Sequence, residues 1–177
     1  MNTLLTPRAA ALAAAFLLGS FGCARAQGLY VGANLGTPDY NSRVNGIDGG
    51  GSGLGGKVYV GLPITPGFAL EGGYFNVGHI NNASGKVKVR GVFVDGVGSY
   101  AFAPNWSVLG RIGLAQGRFH TSNGKDSSPA LRLGAGLEYA LSASTALRGE
   151  YGHYRFSSAF GHTANIGEFS LGVKIGF

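Results

Sequence analysis

Two features of this chain have residue types that could do chemistry: a histidine–serine pair and a scatter of three further histidines. In His120-Thr121-Ser122-Asn123-Gly124 an imidazole stands two residues before a hydroxyl. A histidine within hydrogen-bond reach of a serine can take its proton and make it a nucleophile towards an ester, provided an acid orients the ring. No acid is spaced for that third role, and Glu150 and Glu168 are only the nearest in kind. His, Ser, Asn and Gly are also what a polar turn is made of. His79, His153 and His162 are widely spaced and come without cysteine or paired carboxylates, so neither a metal nor another cofactor is expected. Gly49-Gly50-Gly51-Ser52-Gly53 lacks the Lys-Ser/Thr of a phosphate loop and reads as a flexible loop end. No enzyme is expected, and the elements carrying these residues become the informative part.

Residues 1–26 read as a cleavable export signal for the Sec route. Arg8 gives the positive end, Ala9 to Gly22 the apolar run, and Ala24-Arg25-Ala26 the small-x-small cleavage pattern, so residues 27–177 form the expected mature domain. The apolar run is short for a spanning helix, which needs ~20 residues. Cys23 offers lipid modification as the lesser alternative, but Ser20-Phe21-Gly22 before it lacks the aliphatic spacing such a site prefers. What remains suits one domain. Charged residues are only 12% of the chain, against ~25% in soluble domains, so much of its surface must avoid water by other means. A bilayer would serve.

No helical period persists beyond the leader. Apolar and polar residues alternate instead with a period of two, in eight segments near 28–36, 53–62, 68–78, 87–101, 106–118, 130–141, 146–156 and 167–177. Short breaker-rich links (63–67, 103–105, 142–144) alternate with longer polar ones (37–52, 79–86, 119–129, 157–165). Short turns at one end and long loops at the other are the layout of an outer-membrane barrel, whose even strand number puts both termini on the periplasmic side. The expected fold is therefore all-β: an eight-stranded antiparallel up-and-down transmembrane barrel.

Parity sets its polarity. In the sixth segment Leu131, Leu133, Ala135, Leu137, Tyr139 and Leu141 share one face, while Arg132, Gly134, Gly136, Glu138 and Ala140 share the other. The last segment repeats this, with Phe169, Leu171, Val173, Ile175 and Phe177 opposite Glu168, Ser170, Gly172, Lys174 and Gly176. An apolar face opposite glycine and charge suits lipid outside and a narrow lumen inside, filled by its own side chains. The same rule sends Lys57, Glu71, Asp95, Arg111, Arg148 and Glu150 inward. With Arg132, Glu138, Glu168 and Lys174 the inner set balances five cations against five anions, as buried charges require. Gly91 and Gly96 blur the register of the fourth segment. Tyr100, Phe102, Trp106, Tyr139 and Phe177 fall near the short turns, where interfacial aromatics are favoured.

The terminal stretch Ser170-Leu171-Gly172-Val173-Lys174-Ile175-Gly176-Phe177 resembles the signal read by the barrel-assembly machinery, with Ser170, Gly172, Ile175 and Phe177 at its marked positions. The chain as a whole is similar to OmpA-type and opacity-protein-type eight-stranded barrels. Gly28-Leu29-Tyr30-Val31-Gly32, Leu70-Glu71-Gly72-Gly73-Tyr74, Gly110-Arg111-Ile112-Gly113, Gly134-Ala135-Gly136-Leu137-Glu138-Tyr139 and Arg148-Gly149-Glu150-Tyr151 carry this likeness. The resemblance implies interior ion pairs among Glu71, Arg111, Glu138, Arg148 and Glu150. It does not extend to the peptidoglycan-binding domain of longer relatives. His120 and Ser122 also resemble the His-x-Ser-Asn stretch of outer-membrane lipid A deacylases, although there the motif lies nearer the C-terminus.

Charge suggests partners. Without Arg8 and Arg25, the chain's 14 basic residues fall to 12 against 8 acidic ones. The surplus gathers at the long-loop rim, in Lys86, Lys88, Arg90, Arg118 and Lys125 among others. For an exported barrel the natural anion is the phosphate of lipopolysaccharide, and nucleic acid is not expected. The reading is an integral outer-membrane protein of a Gram-negative bacterium. Its role is structural or surface-interacting, and its long loops could meet a surface ligand. A narrow pore and a lipid A-modifying enzyme using His120 and Ser122 are the alternatives.

Overall fold

The computed structural model describes residues 28–39, 54–82, 85–121, 124–159 and 162–177. The leader 1–26, Gln27, the glycine run 49–53 and Ser122 lie outside them. Eight strands follow in chain order: β1 (Tyr30–Asp39), β2 (Gly55–Thr65), β3 (Phe68–Asn82), β4 (Gly85–Ala103), β5 (Trp106–Thr121), β6 (Gly124–Ala140), β7 (Thr145–Ala159) and β8 (His162–Gly176). Each pairs antiparallel with its neighbours in sequence, and β1 pairs with β8 to close the barrel. Closure gives every strand two partners, which a lipid-embedded backbone requires.

Local chemistry sets the short turns. Pro66-Gly67 joins β2 to β3, and Asn105, with φ at 66°, supplies the left-handed residue after Pro104. Asparagine tolerates that conformation better than most residues. Between β6 and β7, the Ser142 hydroxyl accepts the backbone N–H groups of Ser144 (3.3 Å) and Thr145 (3.0 Å).

The opposite end departs from the sequence reading. Stretches 79–86, 119–129 and 157–165, expected as loops, are mostly strand. β3–β4, β5–β6 and β7–β8 continue their pairing to Asn82↔Gly85, Thr121↔Gly124 and Ala159↔His162. A strand that has left the membrane keeps its backbone hydrogen bonds while losing the lipid–lumen contrast that makes it visible in sequence. Polarity there marks the membrane boundary, not the strand end. Register shifts between Asn76 and His79 and between Phe156 and Ala159 fall on these hairpins. The register of β4 runs unbroken past Gly91 and Gly96, with Gly91 inward and Gly96 outward.

The outer face is apolar: Val58, Val92, Val94, Ile112, Leu114, Phe169 and Leu171 are all exposed. Towards the short turns Tyr100, Phe102 and Phe177 are exposed, and Trp106 packs on its register partner Tyr139 with ring centroids 4.8 Å apart. The packed core is the lumen itself.

Inward glycines make the bore wide enough to hold large side chains. A Cβ on Gly61 would fall inside the Tyr30 ring, and one on Gly32 inside that of Tyr59. Tyr30 is buried and cannot swing away without losing its hydrogen bond to Glu71. On the lipid side Gly110 faces open space. Gly61→Ala should therefore destabilise the barrel by about 1–3 kcal/mol, while Gly110→Ala stays within about 0.5 kcal/mol of the unmodified chain. Urea titration of refolded protein in liposomes measures both; equal losses would contradict this account of the lumen.

Candidate functional site: the filled lumen and the basic rim

The structure places Lys57, Glu71, Asp95, Arg111, Arg132, Glu138, Arg148, Glu150, Glu168 and Lys174 on the inner face, all buried except Glu138 and Lys174, which are partly accessible. Geometry joins them both between neighbouring strands and across the bore. Arg111 on β5 reaches Asp95 (3.0 Å), Glu71 (3.1 Å) and Glu150, while Lys57 on β2 pairs with Glu150 on β7. Arg148 binds Glu71 (2.5 Å) and Glu138 (2.9 Å), and Lys174 pairs with Glu138. Arg132 donates to Asp95 at 2.8 Å and to the Tyr154 hydroxyl at 3.2 Å. Glu168 accepts from that same hydroxyl at 3.0 Å, and Glu71 accepts from Tyr30 at 2.8 Å.

This network explains how charge survives in so small a bore. A lone buried ion is prohibitively costly, but one bonded to several opposite charges keeps its ionised form. The Arg132 guanidinium also lies 4.0 Å from the Phe93 ring centroid and 4.8 Å from that of Tyr154, so its faces are covered by π-systems while its edge is bonded. Asp95 Oδ1, Arg111 Nε, Asn34 Oδ1 and the Tyr59 hydroxyl are buried without a hydrogen-bond partner among the described residues.

Large apolar and aromatic side chains, which the expected inner set of charged and small residues does not include, also fill the lumen. Phe75, Val89, Phe93, Tyr154, Phe156 and Ile166 are buried on the hairpin side of the charges, and Tyr30, Asn34 and Tyr59 are buried with them. The signal was present: Phe75, Phe93 and Phe156 share parity with Glu71, Asp95 and Glu150 on their own strands. At the short-turn end the lumen opens into a vestibule of about 290 Å3, into which Glu138, Arg148 and Lys174 look.

The candidate rim divides. Arg90 and Arg118 are exposed register partners on β4 and β5, flanked in the ladder by Asn76 and Ser127. Lys86, Lys88 and Lys125 belong to β4 and β6 by backbone, opposite Asn81, His79 and His120 respectively, and their side chains lie outside the described ones. His120 stands in β5, paired with Lys88 and Lys125, rather than in a loop. His153 faces Leu133 and Gly167 across the ladder. Among the described residues no three His, Cys, Asp or Glu side chains are placed to hold a metal. On β8, Ser170 and Gly172 turn to the lumen while Ile175 and Phe177 turn outward, and the Phe177 N–H donates to Leu29 at 2.9 Å.

An apolar exterior, a filled ionic interior and a closed eight-stranded sheet define a small outer-membrane barrel. The chain belongs to the outer membrane protein beta-barrel domain family, which it matches over residues 8–177. This places it in the outer membrane of a Gram-negative bacterium. Solved structures share the fold. Neisserial surface protein A is 17% identical, with 84% of this chain and 97% of that one covered and a TM-score of 0.73. The N-terminal barrel of Pseudomonas aeruginosa OprF is 15% identical, with 85% and 100% covered and a TM-score of 0.59. The attachment invasion locus protein Ail of Yersinia pestis, in complex with the heparin analogue sucrose octasulfate, is 15% identical, with 85% and 97% covered and a TM-score of 0.54. No curated protein matches the chain.

Asp95 is the sharpest test of the network, since it is fully buried between Arg111 and Arg132. Asp95→Asn leaves two guanidiniums short of a counter-charge and should cost about 3–5 kcal/mol. Equilibrium unfolding in liposomes reads this loss, and a change below about 1 kcal/mol, the scale of an exposed pair, would show that the pairs are dispensable.

Proposed function

We propose that this barrel is a structural and surface-interaction protein of the outer membrane that works through its outer wall and hairpins, with lipopolysaccharide as its constant partner. The observation that carries the reading is the Arg90–Arg118 pair. Two exposed guanidiniums stand directly opposite each other on adjacent strands, one ladder step beyond the apolar belt that ends at Tyr74 and Val92. Like charges so placed repel unless an anion lies between them. A phosphate on lipid A sits at that depth in the outer leaflet and suits bidentate arginine recognition. Lys86, Lys88 and Lys125, further along the same hairpins, extend the basic rim. That Ail, a barrel of the same fold, has been crystallised with the heparin analogue sucrose octasulfate supports polyanion binding as a use for such a fold.

The rest of the reading follows from this role. Residues 1–26 direct Sec export and are removed, and Ser170, Gly172, Ile175 and Phe177 present the last strand to the assembly machinery. The described hairpins β3–β4, β5–β6 and β7–β8 then extend past the apolar belt, available to a ligand outside the cell.

Removing both charges tests the partner. Adding lipid A to phosphatidylcholine vesicles should raise the unfolding midpoint of the refolded chain, and Arg90→Gln/Arg118→Gln should abolish most of that rise without lowering stability in phosphatidylcholine alone. Raising the salt concentration should shrink the effect, because exposed charges are screened within ~10 Å at 0.1 M. An undiminished rise in the double variant would rule out this pair as the lipopolysaccharide contact.

A further inference from the structure

The lumen contains two stacked layers of different chemistry, and we infer that the aromatic layer is what closes the bore to ions, while the charged layer beneath it holds the wall together. On β3 and β7, Phe75, Tyr154 and Phe156 lie beyond Glu71 and Glu150 in the direction of the hairpins. On β4 and β8, which run the other way, Phe93 and Ile166 precede Asp95 and Glu168. These side chains thus form one level across the barrel on the outer side of the carboxylates, with the Arg132 guanidinium set against Phe93 and Tyr154 and the Tyr154 hydroxyl reaching Glu168 at their junction.

Among the described residues these side chains pack closely on one another. Phe75 meets Tyr154 with centroids 5.3 Å apart and Phe93 at 6.5 Å, and Tyr154 stacks on Phe156 at 6.3 Å. Wall glycines act as sockets: a Cβ on Gly117 of β5 would come within 2.6 Å of the Phe156 ring, two strands away. A Cβ on Gly91 would come within 2.9 Å of Phe75. Phe75, Tyr154, Phe156 and Ile166 each expose 1% or less of their surface. A water-filled path at this level would leave ring edges accessible, and among the described side chains of the layer the most exposed, Phe93, shows only 3% of its surface.

The charged layer is buried too, but it is a poorer barrier. Its ammonium, guanidinium and carboxylate groups can trade partners with water or with a passing ion, and the vestibule brings solvent to Glu138, Arg148 and Lys174. A layer of rings offers an ion nothing in place of its hydration shell, and apolar constrictions stop conduction by dewetting. The barrel is then a cup, open at the short turns and shut towards the hairpins, and not a narrow pore gated by its ion pairs.

Conductance across planar bilayers separates the two layers. Full-length barrels are refolded and checked by their mobility shift on boiling. Phe75→Ala/Phe156→Ala should give ion current that the unmodified chain lacks, while the charge-neutral pair Lys57→Met/Glu150→Gln should stay silent. A folded, silent aromatic variant would overturn the inference, as would current from the charge variant alone. Should the double alanine variant fail to refold, Phe156→Asn, which places an amide in the ring layer, carries the same two outcomes.

Discussion

Everything in this molecule follows from the cost of an unpaired backbone amide in hydrocarbon. Lipid offers no hydrogen bonds, so each strand must have a partner on both sides and the sheet must return to its first strand. The β1–β8 ladder is the result, running from Tyr30↔Gly176 to Asp39↔Gly167. Once the sheet closes over eight strands, its bore is only wide enough for side chains. The lumen is thus the single place where the chain can build a packed core, and its wall is the single place where apolar residues can meet lipid.

That geometry inverts the usual distribution of polarity. Charge goes inside, where only mutual pairing makes it tolerable, and the pairs tie together strands that share no ladder: Lys57 of β2 with Glu150 of β7, and Glu71 of β3 with Arg148 of β7. These cross-braces act through the middle of the barrel while backbone bonds act around its circumference. Glycine serves both, giving Tyr30 and Tyr59 room inside and lying bare at Gly98 and Gly110 outside.

The strands are legible in the sequence because lipid and lumen impose opposite demands on alternate residues. Segments such as 130–141 and 167–177 show this plainly, and the charged inner positions follow from the same parity. Three things are not legible. Hairpin length is hidden because the stretches that hold Lys86, His120 and Lys125 lack the apolar–polar alternation of the membrane segments, so paired backbone there resembles loop. Partner choice across the bore is hidden because strand tilt and stagger decide which heights meet, and no local pattern encodes them. The aromatic layer is hidden because Phe75 and Phe156 have inward parity but are apolar like the lipid-facing residues beside them, so composition does not separate the two faces there.

The closing seam also imposes an order in time. Among the described residues β1 is laddered to β8 from Tyr30 to Asp39, and to its own neighbour β2 from Tyr30 to Gly36. The first strand to leave the export channel is thus held in place by the last. Until β8 arrives, both edges of every partial sheet are open, and open edges invite pairing with foreign chains. Long-range closure of this kind is slow. The unfinished chain must therefore be shielded on its way through the periplasm, and its capacity to aggregate is greatest just before the step that abolishes it.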